Sequence, residues 1–254
     1  MRNAHKTLIL TIIHLVAFVF FLLQTTVAQA GLGGLIDKVM GNTPAPPTLT
    51  IYLVDRTGSI PQDDQLLYKN TIGKSVPHLM LGDRVIIADI SGLPISQFRT
   101  TAETQIPKRT GRRFDDERAI NTARGRIQKV ASDLVGTPGP GNGTYILDTL
   151  SALKPSIESA RKAGMPIRII MLTDGIEESR EINFGSCSLN QARSFFNNRK
   201  KLGLLPELSG AEVFIVGAGG NDSTRYAIQE KIWRELIEGQ GGQLIHYGRT
   251  APDF

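Results

Sequence analysis

Cysteine is almost missing from this chain: Cys187 is the only one, so no disulfide can close within the chain and stability has to come from a packed core. Cys187 lies in "GSCS", a loop-like setting that reads as a tolerated lone thiol. Histidine is scarce as well, with four copies, two of them before residue 30; the remaining His78 and His246 belong to no ligand cluster. A zinc or copper centre of imidazole and thiolate therefore lacks ligands. No G-x-S-x-G is present, and a hydrolase triad has no histidine to build on. Charge of one sign is not in large excess either: 29 basic against 24 acidic residues is too mild a balance to argue for nucleic acid.

Long apolar runs are confined to one place. Residues 8–23 are almost unbroken in their hydrophobicity, follow Arg2, His5 and Lys6, and lead to "AQA" at residues 28–30. A basic start, a short apolar stretch and small residues at the cleavage positions make residues 1–30 a secretory signal peptide, which predicts export to a periplasm or the extracellular space. The alternative is an uncleaved anchor, although the run is shorter than the roughly 20 residues a span needs. Residues 31–48 mix Gly and Pro around one small apolar patch and read as a linker. The remainder suits one domain over residues 49–248, with a tail at 249–254 and no further span.

Within that domain apolar runs alternate with helical periods. "LTIYLV" (49–54), "RVIIADI" (84–90), "IRIIMLT" (167–173), "AEVFIVG" (211–217) and "QLIHY" (243–247) have strand length, and the middle ones are apolar on both faces, as strands covered by helices on each side are. "ISQFRT" (95–100) reads as an antiparallel edge strand. Helical segments are expected at residues 62–80, 117–134, 145–163, 190–202 and 224–238; the first carries Leu66, Tyr68, Ile72, Val76 and Leu79 near a 3.6 period. The expected fold class is α/β: a doubly wound, mostly parallel sheet with one antiparallel edge strand and helices on both faces. Ligands of such sheets bind at the carboxyl ends of the strands.

Oxygen donors collect at those ends. "VDRTGS" puts Asp55, Thr57 and Ser59 at alternate positions after the first strand, "MLTDG" puts Asp174 after the third long run, and the Gly-rich "GPGNGTY" delivers Thr144 to a helix start. Hydroxyls and carboxylates without His or thiolate suit a hard cation. With these five positions in order the chain resembles the von Willebrand factor A domain family, whose D-x-[ST]-x-S, second-loop Thr and third-loop Asp form the metal-ion-dependent adhesion site. "LMLGDRVIIADI", "IIMLTDG" and "VFIVGAGG" extend the resemblance over most of residues 49–247. It implies direct metal ligation by Thr57 and Ser59, ligation by Asp55 and Asp174 mainly through waters, and a Thr144 that ligates directly or through water. It implies Mg²⁺ as the ion, with Mn²⁺ or Ca²⁺ as alternatives, and a protein partner whose Asp or Glu carboxylate completes the coordination. Thr57 stands where the family more often has Ser.

The resemblance points to binding, not catalysis. Two alternatives remain: a metal-dependent phosphoesterase using Asp55, whose expected acid two residues on is here Thr57, and a metal-independent scaffold. "GAGGND" (217–222) reads as a tight turn with Asp222 or Ser223 capping a helix. "PKRTGRRFDDER" (107–118) is basic, then acidic, and reads as a solvated loop and helix start. The segment after Asp174 must cross the metal face, so Glu177, Glu178, Arg180 and Glu181 are the expected partner contacts.

Overall fold

The computed structural model of the chain describes residues 45–254, apart from residues 59, 94, 220 and 221. The signal peptide, nearly all of the linker and Ser59 therefore lie outside the described residues. Pro46–Phe254 form one compact unit.

Six strands make one sheet: β1 (Leu49–Asp55), β2 (Arg84–Ile90), β3 (Thr100–Gln105), β4 (Ile167–Leu172), β5 (Ala211–Val216) and β6 (Gln243–Gly248), in the order β3-β2-β1-β4-β5-β6. All neighbours are parallel except β2 and β3. Five helices cover it: α1 (Gln62–Ser75), α2 (Arg113–Leu134), α3 (Ile146–Lys162), α4 (Leu189–Lys201) and α5 (Ser223–Gly239). This is the expected doubly wound α/β sheet with one antiparallel edge.

The two-residue period of the strands divides the core in two. Leu49, Ile51, Leu53, Ile169, Met171, Val213 and Ile215 point to the face under α3, α4 and α5. Tyr52, Val54, Ile170, Leu172, Phe214 and Val216 point to the face under α1 and α2. Every residue of β1 is buried, which is why its sequence is a continuous apolar run instead of an alternating one. Each fully buried aliphatic side chain contributes about 1.5–3 kcal/mol, so the central strands hold the sheet and set where their ends lie.

Three expectations need correcting. The edge strand is Thr100–Gln105, not 95–100; Ile95–Gln97 form a 3₁₀ turn. An edge strand has little apolar surface to bury, so "TTAETQ" is held by polar pairs instead: Arg84 Nε donates to Glu103 at 2.7 Å and Thr101 Oγ1 to Asp89 at 3.3 Å. The first helix stops at Ser75 and passes into a 3₁₀ turn at Val76–His78, since Pro77 has no N–H to continue the ladder. Leu66, expected on its apolar face, is instead 59% exposed. The second helix begins at Arg113, four residues early, because Asp116 accepts from Thr110 N, Thr110 Oγ1 and Gly111 N and so organises the turn before it.

The tail does not hang free of the domain. The Phe254 ring lies 5.2 Å from that of Phe214, Asp253 sits 3.7 Å from Lys74, and Pro252 is buried. Among the described residues no helix is long and apolar enough to cross a membrane.

Candidate metal centre

Parallel strands that end together create one rim, and β1 and β4 are adjacent at its middle. β1 finishes at Asp55, which is buried with both carboxylate oxygens engaged. Oδ1 accepts from Thr57 N at 2.9 Å and Thr57 Oγ1 at 2.6 Å, and Oδ2 accepts from Thr173 Oγ1 at 2.7 Å. The alternation in "DRTG" is thus an Asx-type turn that folds the Thr57 hydroxyl back over the strand end.

Thr144 arrives from the other side. Its hydroxyl lies 2.8 Å from Thr57 Oγ1, across 87 residues of sequence. The loop that carries it is held at several points: Arg56 donates through Nε to Thr137 O and through Nη2 to Pro138 O, while its own carbonyl accepts from Gly139 N. Arg56 Nη1 also faces Asp89 on β2 at 3.5 Å. Thr144 and Glu178 then exchange two backbone hydrogen bonds, at 2.9 and 2.8 Å, joining the second loop to the third. Gly143 must be glycine for this: its φ is +89°, and a Cβ there would run into the Glu178 carbonyl.

Asp174 follows β4 and is open to solvent, with Oδ1 accepting from Ile176 N at 2.8 Å. Partial desolvation, and then the neighbouring charges of Asp55, Asp64 and Glu178, push its carboxyl up to about 6. Burial likewise raises Asp55, against the hydrogen bonds from Thr57 and Thr173. Two carboxylates held close together in a half-dry rim are each uncomfortable as anions, and a cation between them relieves both.

The donor set fits a small hard cation. Metal–oxygen bonds of about 2.0–2.1 Å put neighbouring ligands of an octahedron about 2.9 Å apart, close to the observed separation of the Thr57 and Thr144 hydroxyls. Among the described residues no group of three His, Cys, Asp or Glu is placed to hold a metal, so the donors gathered here are hydroxyls as well as carboxylates. Asp55, Thr57, Thr144 and Asp174 are thus brought to one rim.

The residues after Asp174 are divided. Glu178, Arg180 and Glu181 are exposed. Glu177 is not a surface contact: it is fully buried, and its Oε2 accepts from Leu147 N in the first turn of α3. Burial pushes its carboxyl up to about 8. The reason is the backbone bridge beside it, which turns Glu178 outward and its neighbour inward. Arg225 then ties this loop to α5 by donating to the carbonyls of Cys187 at 2.7 Å and Phe184.

Sequence reasoning passed over Thr173, Arg56 and Tyr68. Thr173 was readable as the single polar residue closing an apolar strand beside the acid. Tyr68 packs beneath the rim from α1, where a Cβ on Gly217 would collide with its hydroxyl; burial and then the charges of Asp55 and Asp174 raise its pKa. Asp222 caps α5, accepting from Thr224 N and Arg225 N as the turn reading required.

No family model matches the chain, and no curated protein does. Among solved structures it is similar to a von Willebrand factor type A protein from Catenulispora acidiphila, at 14% identity over 76% of this chain, with a TM-score of 0.41. It is also similar to the manganese-loaded TRAP protein of Plasmodium vivax, at 13% identity over 81% of this chain, with a TM-score of 0.40. The chain spans 43% of the first of these proteins and 69% of the second.

Proposed function

We propose that this rim holds a divalent cation, Mg²⁺ or Mn²⁺ with Ca²⁺ as a further possibility, and through it captures an Asp or Glu carboxylate of a protein partner. The observation that carries the reading is the meeting of the Thr57 and Thr144 hydroxyls at 2.8 Å over the buried Asp55. Thr57, Ser59 and Thr144 would supply neutral donors, while Asp55 and Asp174 balance the charge from behind. A cation so bound offers an electrophilic position to an incoming carboxylate. Asp55 orients the Thr57 hydroxyl, and Thr173 orients Asp55. Arg56 holds the second loop at its working distance. Capture is favoured over phosphoester turnover because the position two residues after Asp55, where such an enzyme would have its acid, is Thr57, whose hydroxyl donates to Asp55.

Thr144→Ala tests the division of labour. It should weaken chelator-sensitive retention of envelope proteins on the immobilised chain about tenfold, while Mg²⁺ affinity measured by calorimetry changes much less. Equal loss of both would make Thr144 a purely structural ligand, and retention indifferent to EDTA would favour the metal-independent scaffold.

We also propose that the protein acts outside the cytoplasm, on the strength of the residue 1–30 pattern. Intact-mass measurement of the exported protein should give a chain starting at Gly31. A mass that includes residues 1–30, recovered in the membrane fraction, would support the anchor instead.

A further inference from the structure

The rim occupies one end of the domain; the opposite end has a different character. There the loop 106–112 between β3 and α2, the turn 79–83 before β2 and the entry of the chain into β1 are bonded together. Gly82 N donates to Pro107 O, Ile106 N to Asp83 O, and Thr48 N to Asp83 Oδ1 at 2.8 Å. Since β3 is antiparallel, Gln105 pairs with Arg84, and both lie where β1 and β2 begin.

This end carries Lys108, Arg109, Arg112, Arg113 and Arg118, all exposed. The three acids among them are already engaged. Asp116 accepts from Thr110 and Gly111, Asp115 lies 3.4 Å from Arg112, and Glu117 lies 2.7 Å from Arg113. Among the described residues Lys108, Arg109 and Arg118 form no salt bridge, although Arg109 lies near enough to Asp116 to help hold that carboxyl below its ordinary value. In the middle of the cluster stands Phe114, 87% exposed, the most exposed of the large apolar side chains in the described domain; Met80, in the adjoining turn, is 45% exposed. A cavity of about 390 Å³ at this end is lined by Leu81 and Ile120 together with Arg109 and Arg113, and by the acids Asp116 and Glu117. An exposed ring alone is ordinary on a protein surface, but a ring set among exposed cations is the combination that anionic bilayers bind: the ring enters the acyl boundary while the cations meet phosphate.

We infer that this end is a membrane-contacting surface: Phe114 and the cations Lys108, Arg109 and Arg118 dock the domain on an anionic phospholipid bilayer, with the metal rim pointing away from it. The test uses the exported chain, starting at Gly31 and carrying Phe114→Trp, mixed with phosphatidylcholine vesicles or phosphatidylcholine–phosphatidylglycerol vesicles that contain brominated lipid. Trp233, the chain's own tryptophan, is fully buried and bonded to Gly175 O at 2.7 Å, so the lipid quencher does not reach it. Quenching of the introduced indole is expected in the anionic vesicles and little in the zwitterionic ones. Each basic residue favours an anionic surface about fivefold, so adding Lys108→Gln and Arg109→Gln should lower the partition constant for the anionic vesicles about 25-fold, and high salt should also lower it. Three results would overturn the inference. The indole could stay unquenched in anionic vesicles. It could be quenched equally in both kinds, which would mean a tether without recognition of charge. Or it could become shielded from aqueous iodide without lipid as protein concentration rises, which would assign the patch to a second copy of the chain.

Discussion

Asp55→Ala is expected to abolish measurable Mg²⁺ binding, with a loss of about 100-fold or more in affinity. Groups that only orient a metal's ligands are already worth about 10–100-fold. Asp55 would do this for Thr57, whose hydroxyl and amide it accepts from, and in the proposed site would also supply one of the two carboxylates that balance the ion. The substitution leaves Thr173 Oγ1 without its partner in a buried position, which costs about 1–3 kcal/mol of stability, well short of unfolding a domain with a core of this extent. Asp55→Asn separates the two contributions: it keeps an acceptor for Thr173 and the shape of the turn but removes the charge. Calorimetric titration of Mg²⁺ into the folded variants is the measurement. Affinity unchanged in both would remove the metal site from consideration.

The second large effect concerns Glu177 and pH. Its carboxyl is pushed up to about 8 in the folded protein, from an ordinary value near 4.5, by burial. The native state therefore keeps a proton that the unfolded chain releases. The associated stability is fully present below about pH 4.5 and is lost as the pH climbs through 8, since the unfolded state binds fewer protons over that window. At about 1.4 kcal/mol per pKa unit this is a loss of a few kcal/mol between pH 5 and 9. Glu177→Gln should remove that slope. The amide oxygen can still accept from Leu147 N, no charge has to be buried, and the variant should be a few kcal/mol more stable than the parent at pH 9 while differing little at pH 5. Denaturant unfolding at the two pH values measures it; parallel pH profiles for parent and variant would show that Glu177 titrates normally.

Glu177 also marks where sequence reading reached its limit. The positions that end strands were legible: Asp55 and Asp174 close apolar runs, and a parallel sheet must bring such ends to one rim. Thr144 was legible because Gly-rich segments before a helix hand their next residue to that rim. Side-chain direction in the segment after Asp174 was not, because it depends on the Thr144–Glu178 pairing between loops 34 residues apart, for which "GIEESRE" has no local signal. The same limit misplaced the edge strand. Ile95 and Phe98 make 95–100 look like a strand by composition, yet pairing with β2 goes to Thr100–Gln105, whose polar side chains find Arg84 and Asp89 across the ladder. Strands buried on both faces declare themselves by composition, whereas an edge strand is chosen by its neighbour.

The two backbone hydrogen bonds between Thr144 and Glu178 make a latch of the rim. Thr144 cannot slide along the strand ends by itself: it either carries the segment around Glu178 with it or breaks both bonds together, at about 1 kcal/mol each. Glu177, gripping the first turn of α3 beside the same bridge, ties the helix to whichever choice is made. The second loop, the third loop and the start of α3 are therefore coupled, and a shift of one has to involve the others. A load applied at the rim would reach the first turn of α3 through Glu177.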